Sequence, residues 1–145
     1  VRPMVWLLRH GEAEDGSPDA DRRLTAEGER QARSAGAALR ALGVVLDACL
    51  ASPKVRAADT ARLACGSLGT EVGLDPRLEG GPFEPSELVD GREQVLLVGH
   101  DPDLSLAVHR MTGAQVRLRK GGLACIDRGE LLVLLRPDEL AAIGG

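Results

Sequence analysis

Two arginines and two histidines carry the residue types from which a reactive centre can be built. Arg9, His10 and Gly11 close the apolar run MVWLL, and Gly99 and His100 close a second run, QVLLV. Between them, Ser52 and Arg56 follow a third apolar stretch. A neutral imidazole is a good nucleophile near pH 7. A guanidinium offers a rigid fork of donors matched to phosphate oxygens. Together Arg9, His10, Arg56 and His100 describe a site for a dianionic phosphoryl group, with Ser52 and Gly11 as further contacts. Each residue also has a structural reading when taken alone. An Arg-His pair can simply cap a strand, and an arginine in a first helical turn can simply be solvated.

The elements that would bring them together follow from the apolar pattern. Met4 to Leu8 is continuously apolar, which suits a strand buried in the middle of a parallel sheet. Ligands bind such sheets at the carboxyl ends of the strands, and Gly11 lets the chain turn tightly there. The stretch GEAEDGSPDADRR reads as a loop. Thr25 caps a helix over Ala26 to Leu42, on which Ala32, Ala35, Leu39 and Leu42 recur at helical spacing, and Gly43 stops it. Asp47 to Ala51 is a second strand, and a helix begins just after Ser52 and Pro53, a proline being tolerated in a first turn. Glu71 to Leu74 is a third strand. The connection from Asp75 to Arg92 holds one short helix near Pro85 to Val89. Gln94 to Val98 is a further buried strand, followed by a helix from Pro102 to Met111. VRLRKGGLACIDRGELLVLLRP then reads as two strands joined through Asp127, Arg128 and Gly129, an antiparallel hairpin. Arg117, Arg119 and Lys120 would form an exposed strand face, alternating with Val116 and Leu118. The whole, residues 1–145, reads as one α/β domain, a three-layer α/β/α sandwich with a mostly parallel central sheet and a C-terminal hairpin.

Composition narrows the function classes. Eighteen basic and 22 acidic residues give a formal net charge of -4, and aromatic content is 1%. That balance argues against nucleic acid or an anionic membrane as partner, and Trp6 and Phe83 cannot build a stacking platform. No apolar run reaches the ~18 residues of a membrane span, and no stretch resembles a signal peptide, so a cytoplasmic location is the expectation. Cys49, Cys65 and Cys125 are odd in number and set among apolar neighbours, as buried free thiols would be. No cluster of carboxylates or histidines suggests a metal, and no cofactor motif is present. The glycines between Gly11 and Ser17 lack the lysine of a phosphate loop.

The order of these motifs resembles the histidine phosphatase superfamily, whose signature is Arg-His-Gly after the first strand and a second histidine late in the chain. Here those residues are Arg9, His10, Gly11 and His100. The resemblance runs through LTAEG at Leu24 to Gly28, SPKVRAADTA at Ser52 to Ala61, and LLVGHDPDLS at Leu96 to Ser105. KGGLA at Lys120 to Ala124 looks like the corresponding stretch of the small SixA-type phosphohistidine phosphatases. Arg22 lies where such sequences place an arginine before Pro-Leu-Thr, although Arg23 stands in place of the proline.

The resemblance implies a phosphoglycerate mutase-like fold and a metal-independent phosphatase. His10 would take the phosphoryl group, Arg9 and Arg56 would bind it and keep His10 unprotonated by charge repulsion, and His100 would donate to a phosphoryl oxygen. Glu79 and Asp101 are the candidate proton donors, Glu79 by likeness to mutases and Asp101 by likeness to acid phosphatases. A solvated surface carboxylate is the alternative for each. The connection after the third strand is too short for the large lid of bigger members. The implied substrate is phosphohistidine on a partner protein, a phosphotransfer or phosphocarrier domain. The alternatives are a phosphatase or mutase of small phosphate esters and, from another class, a non-catalytic phosphoprotein-binding module.

Overall fold

The computed structural model describes residues 4–89 and 91–145. Its centre is a six-stranded sheet built from β1 (Met4–Arg9), β2 (Ala48–Ala51), β3 (Val72–Leu74), β4 (Gln94–Gly99), β5 (Leu123–Asp127) and β6 (Glu130–Leu135), in the order β3-β2-β4-β1-β5-β6. Neighbours among β1 to β4 run parallel, while β5 is antiparallel to both β1 and β6. The two contiguous apolar runs, β1 and β4, lie side by side in the middle, as their lack of alternation predicts.

Five helices cover the sheet. On one face, α1 (Ala26–Ala41), α2 (Val55–Cys65) and α5 (Pro137–Gly144) pack over Trp6, Leu8, Leu96 and Val98. On the other, α3 (Pro85–Val89) and α4 (Asp103–Thr112) cover Val5, Leu7, Val95 and Leu97. Adjacent strand residues thus point to opposite layers, the period of two that a pleated strand imposes. The buried stripe of α1 is made of small residues, and they allow a close approach. A Cβ at Gly36 would strike the Ala64 carbonyl oxygen of α2. Thr25 caps α1 by accepting the Gly28 amide at 3.0 Å.

The structure differs from the sequence reading in two places. Residues 115–119 form no strand. Leu118 is buried in the core and Val116 packs partly against it, while Arg117, Arg119 and Lys120 lie exposed. The alternation there reflects two apolar anchors, Val116 and Leu118, in an irregular segment that ends at Gly121 and Gly122. The chain also ends in a helix, α5, that the periodicity of so short a segment does not announce. Pro137 sits in its first turn and Leu140 is fully buried against α1. All three cysteines are buried free thiols. Among the described residues no helix is long and apolar enough to cross a membrane.

Candidate active site

Strand register does most of the assembly. Arg9 pairs with Gly99 across β1 and β4, and Ala51 pairs with Val98 across β2 and β4. His10, His100 and Ser52 are the next residues along each strand, so they emerge together at one rim. The His10 amide donates to the Gly99 carbonyl at 3.1 Å, and the Ser52 amide donates to the Val98 carbonyl at 3.0 Å. The two imidazole centroids stand 5.2 Å apart with their planes tilted by 59°.

Behind His10 the chain has no room for a side chain. A Cβ at Gly11 would lie 2.5 Å from the Gly28 carbonyl oxygen of α1. The Gly11 amide donates to Thr60 Oγ1 of α2 at 3.1 Å, and its carbonyl accepts from His10 Nδ1 at 2.7 Å. A carbonyl can only accept, so the proton of neutral His10 sits on Nδ1. The lone pair is therefore on Nε2. His100 Nε2 shares a 2.8 Å hydrogen bond with Ser52 Oγ, which also accepts the Lys54 amide at 3.2 Å. With the serine hydroxyl as donor, the proton of His100 is on Nδ1, the nitrogen left for a phosphoryl oxygen.

Both histidines are held neutral. Burial is the largest cause for His10, and Arg56, Arg9 and Lys120 add to it against the opposing bond to Gly11, bringing the pKa down to about 4. The sequence reading gave repulsion from the arginines as the reason; here desolvation leads and repulsion follows. Burial also leads for His100, followed by His10, Arg56 and Lys54, with Asp19 opposing, and its pKa falls to about 3.

These shifts set a pH dependence. Between about 4 and 6.5 the unfolded chain binds protons that folded His10 refuses, so stability is complete above 6.5 and declines as pH falls through that window. The NMR ring signals of His10 and His100 are expected to keep their neutral positions down to pH 5, with unfolding stability dropping over the same range. Ring protonation near pH 6.5 would contradict the buried, cation-facing geometry.

The arginines are moored so that part of each guanidinium remains uncommitted. Arg9 Nη1 donates to the Leu118 carbonyl at 2.9 Å. Arg56 Nη1 donates to the Asp19 carbonyl at 2.9 Å, and its Nη2 lies 3.2 Å from Asp19 Oδ2. Arg9 Nε and Arg56 Nε are buried without a protein partner among the described residues. Asp19 also meets Arg22 Nη1 at 3.0 Å and Lys54 Nζ at 3.4 Å. Its carboxyl is held well below the usual range, chiefly by Arg22 and then by Arg56. The sequence reading missed Asp19, which lies in an acidic loop where nothing but these long-range pairs distinguishes it.

An open pocket of about 400 Å³ lies over the two histidines, and Arg9, Arg22, Lys54, Arg56 and Lys120 also line it. Glu79, exposed at the end of the turn formed by Pro76–Leu78, lines it too, as do Asp101 and Asp103. Of the sequence-predicted residues, Arg9, His10, Arg56, His100, Glu79 and Asp101 therefore share one pocket. Ser52 and Gly11 stand behind the histidines and orient them. The two candidate proton donors differ in setting. Asp101 Oδ1 accepts both the amide and the hydroxyl of Ser105, at 3.0 and 2.7 Å.

An α/β sandwich gathers at its strand ends a fixed imidazole lone pair, a second neutral histidine and two partly free guanidinium groups, residue types suited to a phosphoryl group. The chain belongs to the histidine phosphatase superfamily (branch 1), whose family model matches residues 5–87. It is 33% identical to an uncharacterized protein of Picosynechococcus sp. (strain PCC 7002), over 92% of this chain and 90% of that one. A 2,3-bisphosphoglycerate-dependent phosphoglycerate mutase of Caulobacter sp. (strain K31) is 40% identical over 46% of this chain and only 30% of its own length. In fold, the chain is similar to the protein histidine phosphatase SixA complexed with tungstate. The TM-score is 0.82 at 23% identity, covering 94% of this chain and 99% of that one. The alpha-ribazole phosphatase of Shigella flexneri gives a TM-score of 0.71 at 22% identity, covering 92% and 96%.

Proposed function

We propose that this protein is a metal-independent phosphatase that removes the phosphoryl group from phosphohistidine on a partner protein, through a phosphohistidine intermediate on His10. The observation that carries the reading is the fixed tautomer. Nδ1 is tied to the Gly11 carbonyl at 2.7 Å, leaving the Nε2 lone pair in a cation-lined pocket. In the first step Nε2 attacks phosphorus in line. The substrate P–N bond breaks, and its electron pair returns to the leaving imidazole. That imidazole leaves neutral when its other nitrogen already carries a proton, so no acid is required. Water then attacks the phosphoryl group on His10. A P–O bond forms, the P–N bond breaks, the pair returns to Nε2, and both water protons leave with the phosphate. Arg9, Arg56 and His100 stabilise the charge spread over the equatorial oxygens.

The pocket mouth favours a substrate displayed on a protein surface. Among the described residues, the connection where a lid would stand holds the turn at Pro76–Leu78 and the five-residue α3. Beside the pocket, Arg117, Arg119 and Lys120 are exposed and make no ion pair among the described residues. Three uncompensated cations in a chain of net charge -4 suit an acidic phosphotransfer or phosphocarrier domain, and a cytoplasmic setting would supply one. The second reading, small phosphate esters, is favoured by Glu79 at the pocket edge and by relatives named as mutase and alpha-ribazole phosphatase.

The deciding experiment compares kcat/KM for a phosphorylated acidic phosphotransfer domain, free phosphohistidine and alkyl phosphates, with and without chelator. The phosphoprotein is expected to be preferred, with no effect of chelator. Reversing Arg117 and Arg119 to glutamate should lower kcat/KM for the phosphoprotein by about tenfold and flatten its salt dependence, while free phosphohistidine is unaffected. Preference for alkyl phosphates would move the second reading ahead. A loss in chelator restored by a divalent metal would overturn the metal-free mechanism.

A further inference from the structure

One of the two catalytic arginines is held by a carbonyl that the sheet does not fix. Arg9 Nη1 donates to Leu118 O at 2.9 Å, and Leu118 lies in the irregular segment between α4 and β5. Its side chain is buried, while its neighbours Arg117 and Arg119 are exposed. The Leu118 amide donates to Ser105 Oγ at 3.0 Å. The Ser105 hydroxyl in turn donates to Asp101, 2.7 Å from Oδ1 and 2.9 Å from Oδ2, and the Ser105 amide donates to the same Oδ1 at 3.0 Å. Every donor and acceptor in this series is used in one consistent direction. It runs from the residue after His100, through the first turn of α4, across to the Leu118 amide, and from the carbonyl of the same residue on to Arg9.

We infer that Asp101 and Ser105 are positioning residues for Arg9, holding the backbone of Leu118, the residue whose carbonyl moors its guanidinium, and that Asp101 is not the proton donor. The carboxylate serves as an acceptor toward the first turn of α4. The Ser105 hydroxyl is the one group that touches both that carboxylate and the Leu118 amide. Without it Leu118 keeps its buried side chain but loses the bond that holds its backbone on the amide side, and its carbonyl is less firmly placed. Arg9 Nη1 would then swing, and Nε with it. Since Arg9 faces the transferred phosphoryl group and not the leaving group, the two classes of role predict different kinetics. A proton donor matters more as the leaving group becomes more basic. A residue acting through Arg9 matters equally for every leaving group.

The inference rests on the pocket being a phosphoryl site, and the test separates the two. Tungstate affinity and kcat/KM are measured for wild type, Asp101→Asn, Ser105→Ala and Ser105→Thr, with phosphohistidine, an aryl phosphate and an alkyl phosphate. Asp101→Asn and Ser105→Ala are expected to lower kcat/KM by about 10- to 100-fold, the scale of a misplaced catalytic group. The factor should be the same for all three substrates, with a parallel loss of tungstate affinity. Ser105→Thr keeps the hydroxyl and should restore most of it. In an Arg9→Ala background Ser105→Ala should add nothing, because the moored group is gone. An Asp101→Asn defect that grows with leaving-group basicity would make Asp101 the acid. Variants that melt earlier yet keep full kcat/KM and tungstate affinity would reduce the series to a helix cap. Wild type that neither turns over phosphate compounds nor binds tungstate would remove the phosphoryl site itself.

Discussion

His10→Ala is expected to reduce turnover to background and to abolish a phosphoryl adduct that wild type shows when quenched during reaction. The adduct should be labile in acid and stable in base, as a phosphoramidate is and a phosphoserine is not. The expectation follows from geometry. The Nε2 lone pair is the nucleophile fixed in the pocket, because Nδ1 is committed to the Gly11 carbonyl. Ser52 cannot substitute, since it is fully buried and its oxygen is engaged with His100 and the Lys54 amide. Nor can His100 take over readily, because its Nε2 is turned to that serine. Rapid quenching with a ³²P-labelled substrate measures both quantities in one experiment. Appreciable turnover by the variant, or an adduct that persists in it, would rule out covalent catalysis at His10. A non-catalytic binding module predicts a different wild type, one that retains phosphate ligands and never turns over.

Much of this site is legible in the sequence because sheet topology does the assembling. Contiguous apolar runs mark β1 and β4 as central, and residues just past the ends of parallel strands must share a rim. That argument places His10 near His100 without any knowledge of side chains. It does not reach the tautomer of His10, which depends on a carbonyl one residue away, nor the leading cause of its neutrality, which is burial. Asp19 and Ser105 escape for another reason. Each acts through a partner distant in sequence, Arg56 from Asp19 and Leu118 from Ser105, and neither pattern nor propensity encodes such a pairing. The misplaced strand at Val116 to Lys120 shows the converse. Alternation of apolar and basic residues says which side chain is buried, but ladder bonds are needed for a strand. Here the Leu118 amide and carbonyl are taken by Ser105 and Arg9 instead.

Arg56→Ala is expected to lower kcat/KM by more than the loss of one donor. Removing a single group that stabilises developing charge typically costs about 10²- to 10³-fold, or about 2.7 to 4 kcal/mol. At this site the substitution also alters Asp19. In wild type the Asp19 carboxylate is shared among Arg22, Lys54 and Arg56. Without Arg56 the same carboxylate faces an incoming dianion with one cation fewer to offset it. Arg56→Lys keeps the charge but not the planar fork that reaches Asp19 and the pocket together, so it should recover only part of the activity. The coupling with Asp19 is the sharper measurement. Asp19→Asn on its own releases Arg56 from its ion pair and should impair catalysis. In the Arg56→Ala background the same change removes an unhelpful negative charge and should restore some of the lost rate, so its effect reverses sign. Unchanged kinetics in Arg56→Ala would place that arginine outside the reaction. Asp19→Asn acting equally in both backgrounds would mean that the carboxylate does not act through Arg56, and this account of the pair would fall with it.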